Sequence, residues 1–239
     1  MKLRFWGTRA NITECSERHP FHSALEIATE QGSVLIDCGA DWRQGLPCSP
    51  AALLLTHAHD DHVDGLRTGT SLPVYATAVT QQVVAPWLSQ EVRRLAIGVP
   101  LNFAGLRIIP IELQHSLRAP AVGLRINADG RTLFYAPDVA FFLCGCEDLA
   151  DVDLYIGDGT SVFEPLTRWE GSHLLGHASI PTQIFWCALA GVKQAIFTHC
   201  GKELVYDRDD SLRNELIRIG RQRGVQVDIA RHGQALLLE

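Results

Sequence analysis

The chain has 239 residues, 46% apolar and 20% charged, with a net charge of −6. That balance excludes wholesale disorder, no apolar run in the sequence reaches the roughly 18 residues of a membrane span, and an acidic chain offers long nucleic acid no global basic field. The opening Met1-Lys2-Leu3-Arg4-Phe5-Trp6 lacks the apolar region of a secretory signal, so a cytoplasmic protein is expected.

Short apolar runs alternate with turn signals. Lys2 to Trp6, Ser23 to Ala28, Ser33 to Asp37 and Ala51 to Thr56 read as strands. Thr77 to about Gln90 has helical spacing through Val79, Val83, Val84, Trp87 and Leu88, and Pro86 is expected to end or kink it. Leu106 to Leu113, Ala121 to Asn127 and Leu133 to Ala136 are strands, the last two a hairpin about Asp129-Gly130. After a strand at Leu154 to Ile156, a helix is predicted from near Ile180, capped by Ser179, with Pro181 in its first turn and Gly191 as its stop. Ala195 to Thr198 is a strand, and a helix runs from about Asp210 to Arg223 with Leu212, Leu216 and Ile219 on one side. Val225 to Ala230 and Ala235 to Leu238 close the chain. No linker, repeat or low-complexity tract interrupts it, so one domain over 1–239 is expected, with two mixed sheets between helices. Seven cysteines, an odd number without CxxC spacing, predict reduced thiols.

The strongest signal is Thr56-His57-Ala58-His59-Asp60-Asp61-His62, directly after a buried strand. A rigid strand end can aim alternate side chains at one point, and imidazole with carboxylate suits Zn²⁺, Fe and Mn²⁺. His57 and His59, two apart, can address one ion, while Asp61 and His62 can face a second across the turn. Further ligands should come from other strand ends. His115, Asp138 and His199 each follow an apolar strand and are the candidates.

The order H-x-H-x-D-H, His, Asp, His resembles the metallo-β-lactamase superfamily, from Trp6-Gly7-Thr8 to the final strand. The resemblance implies an α/β fold, the αββα four-layer sandwich, with a dinuclear site at one edge. Carried over, His57, His59 and His115 would hold one metal, Asp61, His62 and His199 the other, and Asp138 would bridge them. Gly176-His177-Ala178-Ser179 at a helix start, Thr198-His199 on the next strand, and His115-Ser116 followed by Val122 to Ile126 resemble the phosphodiesterase branch, which includes the tRNA 3′-processing endonuclease and the phosphoribosyl cyclic phosphodiesterase. The glyoxalase II pattern is absent. The cysteine-rich zinc loop of the cyclic phosphodiesterase is reduced here to Cys15, His19 and His22, and no long basic arm is visible.

The resemblance implies a metal-dependent hydrolase with two divalent ions, zinc foremost and manganese or iron as alternatives. Its expected substrate is a small or cyclic phosphodiester, with a nucleic-acid 3′ end less favoured and a homodimer left open. Asp61 would orient the attacking water and take its proton, and His177 would protonate the leaving group, with His173 a rival for that role. Asp37 is expected to support the metal loop by hydrogen bonding, while Asp158 reads equally as such a support or as a plain turn. Two other functions stay open: a lactone, carboxylic-ester or thioester hydrolase on the same metals, and a non-hydrolytic redox or carrier protein. Cys144, Cys146 and Cys200 read as packing thiols, and His232 as either a pocket wall or a hairpin end.

Overall fold

Strand parity sorts the apolar side chains into three interiors. The computed structural model describes residues 1–238. β1 (Lys2–Gly7), β2 (Ala24–Thr29), β3 (Gly32–Ile36), β4 (Ala52–Leu54), β5 (Val74–Ala76) and β6 (Arg93–Arg94) lie side by side in chain order. A second sheet takes β7 (Leu101–Phe103), β8 (Leu106–Gln114), β9 (Ala121–Ala128), β10 (Arg131–Tyr135), β11 (Phe141–Phe142) and β12 (Leu154–Asp158). β13 (Leu166–Glu170) and β14 (His173–His177) form a separate hairpin. β15 (Gln194–Thr198) and β16 (Gln226–Ile229) then extend the second sheet, in the order β11-β8-β9-β10-β12-β15-β16, and β17 (Ala235–Leu237) returns to the first, beside β1.

On β3, Val34 and Ile36 face the second sheet while Leu35 faces outward; on β4, Ala52 and Leu54 face in and Leu53 out. Across the gap, Leu133 and Tyr135 of β10 and Leu154 and Ile156 of β12 complete the central interior. Their alternates Phe134 and Tyr155 join Phe197 on the opposite face, under the helices. Each fully buried side chain of this size contributes roughly 1.5–3 kcal/mol relative to exposure. The helices are α1 (Asp60–Val63), α2 (Ala78–Val84), α3 (Ile180–Ala190), α4 (Lys202–Val205) and α5 (Ser211–Gln222). α3, through Ile180, Ile184 and Cys187, and α5, through Leu216, cover the second sheet. Trp42, Leu66, Val84 and Val92 cover the first. Helix, sheet, sheet, helix is the expected αββα order, and the interior between the sheets is why neither sheet is amphipathic in the simple alternating sense.

Pro86 ends a helix as expected, and one other expectation needs correction. The helix expected from Thr77 to Gln90 ends at Val84, followed by a single tight turn, Ala85–Trp87, around Pro86. Proline lacks the N–H that would continue the ladder, so the segment turns into β6 instead. His177 does not open a helix: it is the last residue of β14, three residues before α3, whose N-cap Ser179 accepts from the Thr182 N–H. Among the described residues no helix is long and apolar enough to cross a membrane, and all seven cysteines are free thiols.

The loop from Thr8 to His22 packs across the C-terminal ends of the strands, and within it His19 is buried with Nδ1 2.9 Å from Thr8 Oγ1. Burial, helped by Arg231 and Arg18, lowers the His19 pKa to about 4. An unfolded histidine titrates near 6.5, so below that pH the unfolded chain takes a proton that folded His19 refuses, and stability falls as the pH drops toward 4. His19→Gln is therefore expected to remove about 2 kcal/mol of the stability lost between pH 7 and pH 5. Urea midpoints of both proteins at the two pH values measure it, and an identical acid loss in both would sink the assignment.

Candidate metal centre

Every chemistry-bearing residue of the site follows the C-terminal end of a strand. The segment after β4 stays extended through His57 and His59 and then makes the single turn α1, which swings Asp61 and His62 to the other side. His62 is pinned by its own backbone, its N–H donating to His59 O and its carbonyl accepting from Cys38 N. β8 ends one residue before His115, β10 leads to Asp138, β12 ends at Asp158, and β15 ends one residue before His199. Because β8, β10, β12 and β15 all run the same way, their ends share one rim of the sandwich.

There the expected residues converge. Nitrogen and oxygen atoms of His57, His59, His115 and Asp138 lie within 4.8 Å of one another, as do those of Asp61, His62 and His199. Asp138 joins the two groups: Oδ1 is 3.5 Å from His115 Nε2 and 4.0 Å from His57 Nε2, while Oδ2 is 3.0 Å from His62 Nε2 and 3.6 Å from His199 Nε2. Asp61 Oδ2 lies 2.8 Å from His199 Nε2 and 3.3 Å from His62 Nε2. Two buried atoms at the junction, His62 Nε2 and Asp138 Oδ2, have no hydrogen-bond partner. Orphaned polar atoms in an interior are costly unless something else satisfies them, and this donor set of five imidazoles and two carboxylates fits divalent cations.

The outward nitrogens of the imidazoles are held by named partners, which leaves the inward ones free to ligate. His62 Nδ1 pairs with Asp37 Oδ2 at 2.8 Å, His115 Nδ1 with the Gly176 carbonyl at 3.0 Å, and His199 Nδ1 with Thr160 Oγ1 at 2.7 Å. Asp37 is itself fixed by the Thr56 N–H and hydroxyl. Asp37 and His199 adopt left-handed backbone, φ 63 and 52, a strain of about 1–3 kcal/mol each that the surrounding bonds sustain. Gly176 must be glycine: its φ is 107 and a Cβ there would sit 1.9 Å from the Leu166 carbonyl across the hairpin.

The electrostatics are lopsided. Burial lowers the pKa of His57, His59 and His115, the last to about 4, so these rings are neutral. Burial also opposes charge on His62 and His199, but Asp61 and Asp138 outweigh it and raise both, His199 to about 10. Against the same cost of burial, these histidines hold Asp61 and Asp138 well below the usual carboxylate range. Positive charge belongs at the Asp61–His199 end.

His177 Nδ1 lies 2.7 Å from Asp158 Oδ2, and its ring stacks on that of His199 with centroids 5.9 Å apart. Asp158 is fully buried and also accepts from the Val139 and Thr160 N–H groups. It is a support and not a plain turn. Burial works against a charge on His177, yet Asp158 raises its pKa overall. His173 is exposed at the far end of β14, opposite Glu170, and has no place in the site. Cys15, His19 and His22 do not gather into a ligand group among the described residues: His19 is tied to Thr8 and His22 to Arg9 and Asp41. His232 Nδ1 meets the Trp6 carbonyl at 2.6 Å, in a connection between β16 and β17, which lie in different sheets, so it ends no hairpin. Thr160 and the Gly176 carbonyl were not expected; the only cue was their nearness in sequence to Asp158 and His177.

Residues 33–200 match the family model described as the beta-lactamase superfamily domain. Among solved structures the chain is similar to Zn²⁺-bound PqqB of Methylobacterium extorquens, at 22% identity and TM-score 0.76 over 100% of both chains. It is also similar to a diphosphatase of the PhnP family, at 18% identity and TM-score 0.70 over 100% of this chain and 98% of that one. A curated octanoyltransferase of Porphyromonas gingivalis is 30% identical over 148 residues, 51% of this chain and 30% of that protein, so the chain spans under a third of that relative's length.

Proposed function

The chain belongs to the beta-lactamase superfamily, and from that premise we propose that it is a metal-dependent hydrolase of small or cyclic phosphodiesters. His57, His59 and His115 would hold one divalent cation, Asp61, His62 and His199 a second, and Asp138 would lie between them. Zinc is the first candidate, with manganese or iron also suited to such donors. Divalent cations bound there supply a nucleophilic water at neutral pH and offset charge on the phosphoryl oxygens.

The observation that carries the reading is the His177–Asp158 pair. An alkoxide leaving a phosphodiester needs a proton as the P–O bond breaks. With Nδ1–H donated to Asp158, the other nitrogen of His177 is free, on a side chain that is 20% exposed. Asp158 raises the His177 pKa and so favours the protonated ring, from which His177 would donate at Nε2 and then recover a proton from solvent. Asp158, with a pKa near 2, stays ionised throughout and keeps the ring oriented. On the other side Asp61, gripped by His199 and His62, orients the attacking water; its low pKa suits it to holding that water more than to keeping a proton. A thiolate leaving group needs no such proton, so a thioesterase would gain little from His177.

The test compares metal-reconstituted and chelator-stripped protein on bis(p-nitrophenyl) phosphate, a lactone and a thioester. Turnover of the phosphodiester that returns with Zn²⁺ or Mn²⁺ is expected. Two bound metals per chain with turnover only of the lactone or thioester would overturn the proposal.

A further inference from the structure

One strap of chain is tied to the site at both ends and carries apolar side chains in the open. It begins at Thr160, whose Oγ1 lies 2.7 Å from His199 Nδ1. It ends at Leu166, which pairs directly with His177 across the β13–β14 hairpin. Between them the Ser161 carbonyl accepts from the Ile180 N–H at 3.1 Å, and the Ser161 hydroxyl closes a turn onto the Glu164 carbonyl. Val162 joins the core that α3 covers, while Phe163, Pro165 and Leu166 stay exposed.

Residues directly opposite one another in an antiparallel pair point to the same face, with Cβ atoms about 4.5–5.5 Å apart. The Leu166 side chain therefore stands beside the His177 ring, and it is 58% exposed. Its place is fixed through the facing strand. Gly176 is bonded to His115 by both its N–H and its carbonyl, and without a side chain it lets the Leu166 carbonyl come close. Trp169, more exposed still, stands on the other face of the ribbon. A free imidazole nitrogen beside an uncovered apolar side chain suits a group with an oxygen at one end and hydrocarbon at the other.

We propose that Leu166, extended by Phe163 of the same strap, is the contact surface for the organic part of the leaving alcohol, and that the preferred leaving group is an apolar aryl or alkyl alcohol. The inference rests on the phosphodiesterase reading above, in which His177 is the proton donor, because the donor fixes where the leaving oxygen lies. An oxygen within hydrogen-bond reach of His177 Nε2 brings its carbon substituent within van der Waals reach of a side chain one strand away, and strands stand about 4.8 Å apart. Contact there takes hydrocarbon out of water, with a gain in proportion to the apolar area covered. A sugar or nucleoside alcohol would instead set its hydroxyls against side chains that offer no hydrogen bond.

The probes are methylphosphonate and phenylphosphonate, whose carbon–phosphorus bond is not hydrolysed, titrated by calorimetry into the zinc-loaded protein. The wild type is expected to bind phenylphosphonate about tenfold more tightly than methylphosphonate. Leu166→Ala should remove most of that preference and Phe163→Ala part of it, with zinc content and methylphosphonate affinity unchanged. Leu166→Met, of similar volume, should keep the preference. On bis(p-nitrophenyl) phosphate, Leu166→Ala should raise KM more than it lowers kcat. No preference in the wild type, a preference that survives in both alanine variants, or no binding of either phosphonate at millimolar concentration would overturn the proposal. So would a change of sedimentation mass in Leu166→Ala with the preference intact, which would assign the patch to contact between copies of the chain. Any of these together with His177-dependent phosphodiester turnover would remove the leaving-group contact and leave the proposed function standing.

Discussion

Replacing His177 with alanine is expected to lower kcat on bis(p-nitrophenyl) phosphate by about 10²-fold, and by nearer 10⁴-fold on alkyl phosphodiesters. His177 lies outside the groups built on His57 and on His62, though it also falls with Asp138 and His199 within ligand distance; as a proton donor held by Asp158 it can be removed with both ions still bound. The loss should deepen as the leaving group becomes more basic, because a basic alkoxide needs its proton earlier than a nitrophenolate does. Asp158→Asn should cost about 10–100-fold through the misoriented ring, although Asp158 also accepts the Val139 and Thr160 N–H groups and its change will reach the loop around His199. Rate constants across a series of leaving groups, taken with metal content per chain, decide the matter. A uniform loss across the series, or loss of metal, would show His177 to be structural.

Stripping the ions with a chelator is expected to lower the melting temperature by about 10 °C, since a ligand at a thousand times its Kd contributes about 4 kcal/mol and each kcal/mol moves a chain of this size by roughly 2–4 °C. The size of that drop should depend on pH. In the stripped protein His199 titrates at about 10 and His62 well above an ordinary histidine, against about 6.5 when unfolded. Their contribution is complete below pH 6.5 and is lost as the pH rises toward 10, by roughly 1 kcal/mol per pH unit for each. His57, His59 and His115 act with the opposite sign: their lowered values cost stability as the pH falls below 6.5. Taken together, these five groups contribute most near pH 6.5. Metal binding strengthens with pH because ligating imidazoles must be neutral. The chelator-induced drop should therefore be several degrees larger at pH 8.5 than at pH 6.5, and calorimetric scans at both would refute this if the drop stayed constant or shrank.

The histidine-rich loop was legible from sequence because the residues with chemistry lie at strand ends, and the strands announce themselves by apolar runs. Val34-Leu35-Ile36 and Leu133-Phe134-Tyr135 are buried on both faces, and such runs point to sheets with layers on either side. His115, Asp138 and His199 could be named only by their place after those runs, and the fold brings them together as expected. The hairpin of β13 and β14 was not legible. Leu166, Trp169 and His173 are exposed, so no buried alternation marks the strands; they are held by backbone pairing and by Gln114 and His115 beneath. Missing the hairpin misplaced His177 onto a helix start, although the fold does bring it beside Asp158. The Asp41–His22–Arg9 cluster was likewise invisible, because its partners come from three separate segments whose meeting depends on tertiary packing.

The base of that hairpin fastens two different parts of the site at once. Gly176 exchanges two hydrogen bonds with His115, accepting the side-chain Nδ1–H at its carbonyl and donating its own N–H to the His115 carbonyl, and the next residue is His177. The far end, from Trp169 to His173, projects outward and is exposed. Chemistry and reach are thereby divided along one ribbon: its root is as constrained as any ligand, while its crest is free to lengthen, shorten or change composition. Variation in what such a protein accepts could accumulate there through insertions alone, without any compensating change around the ions.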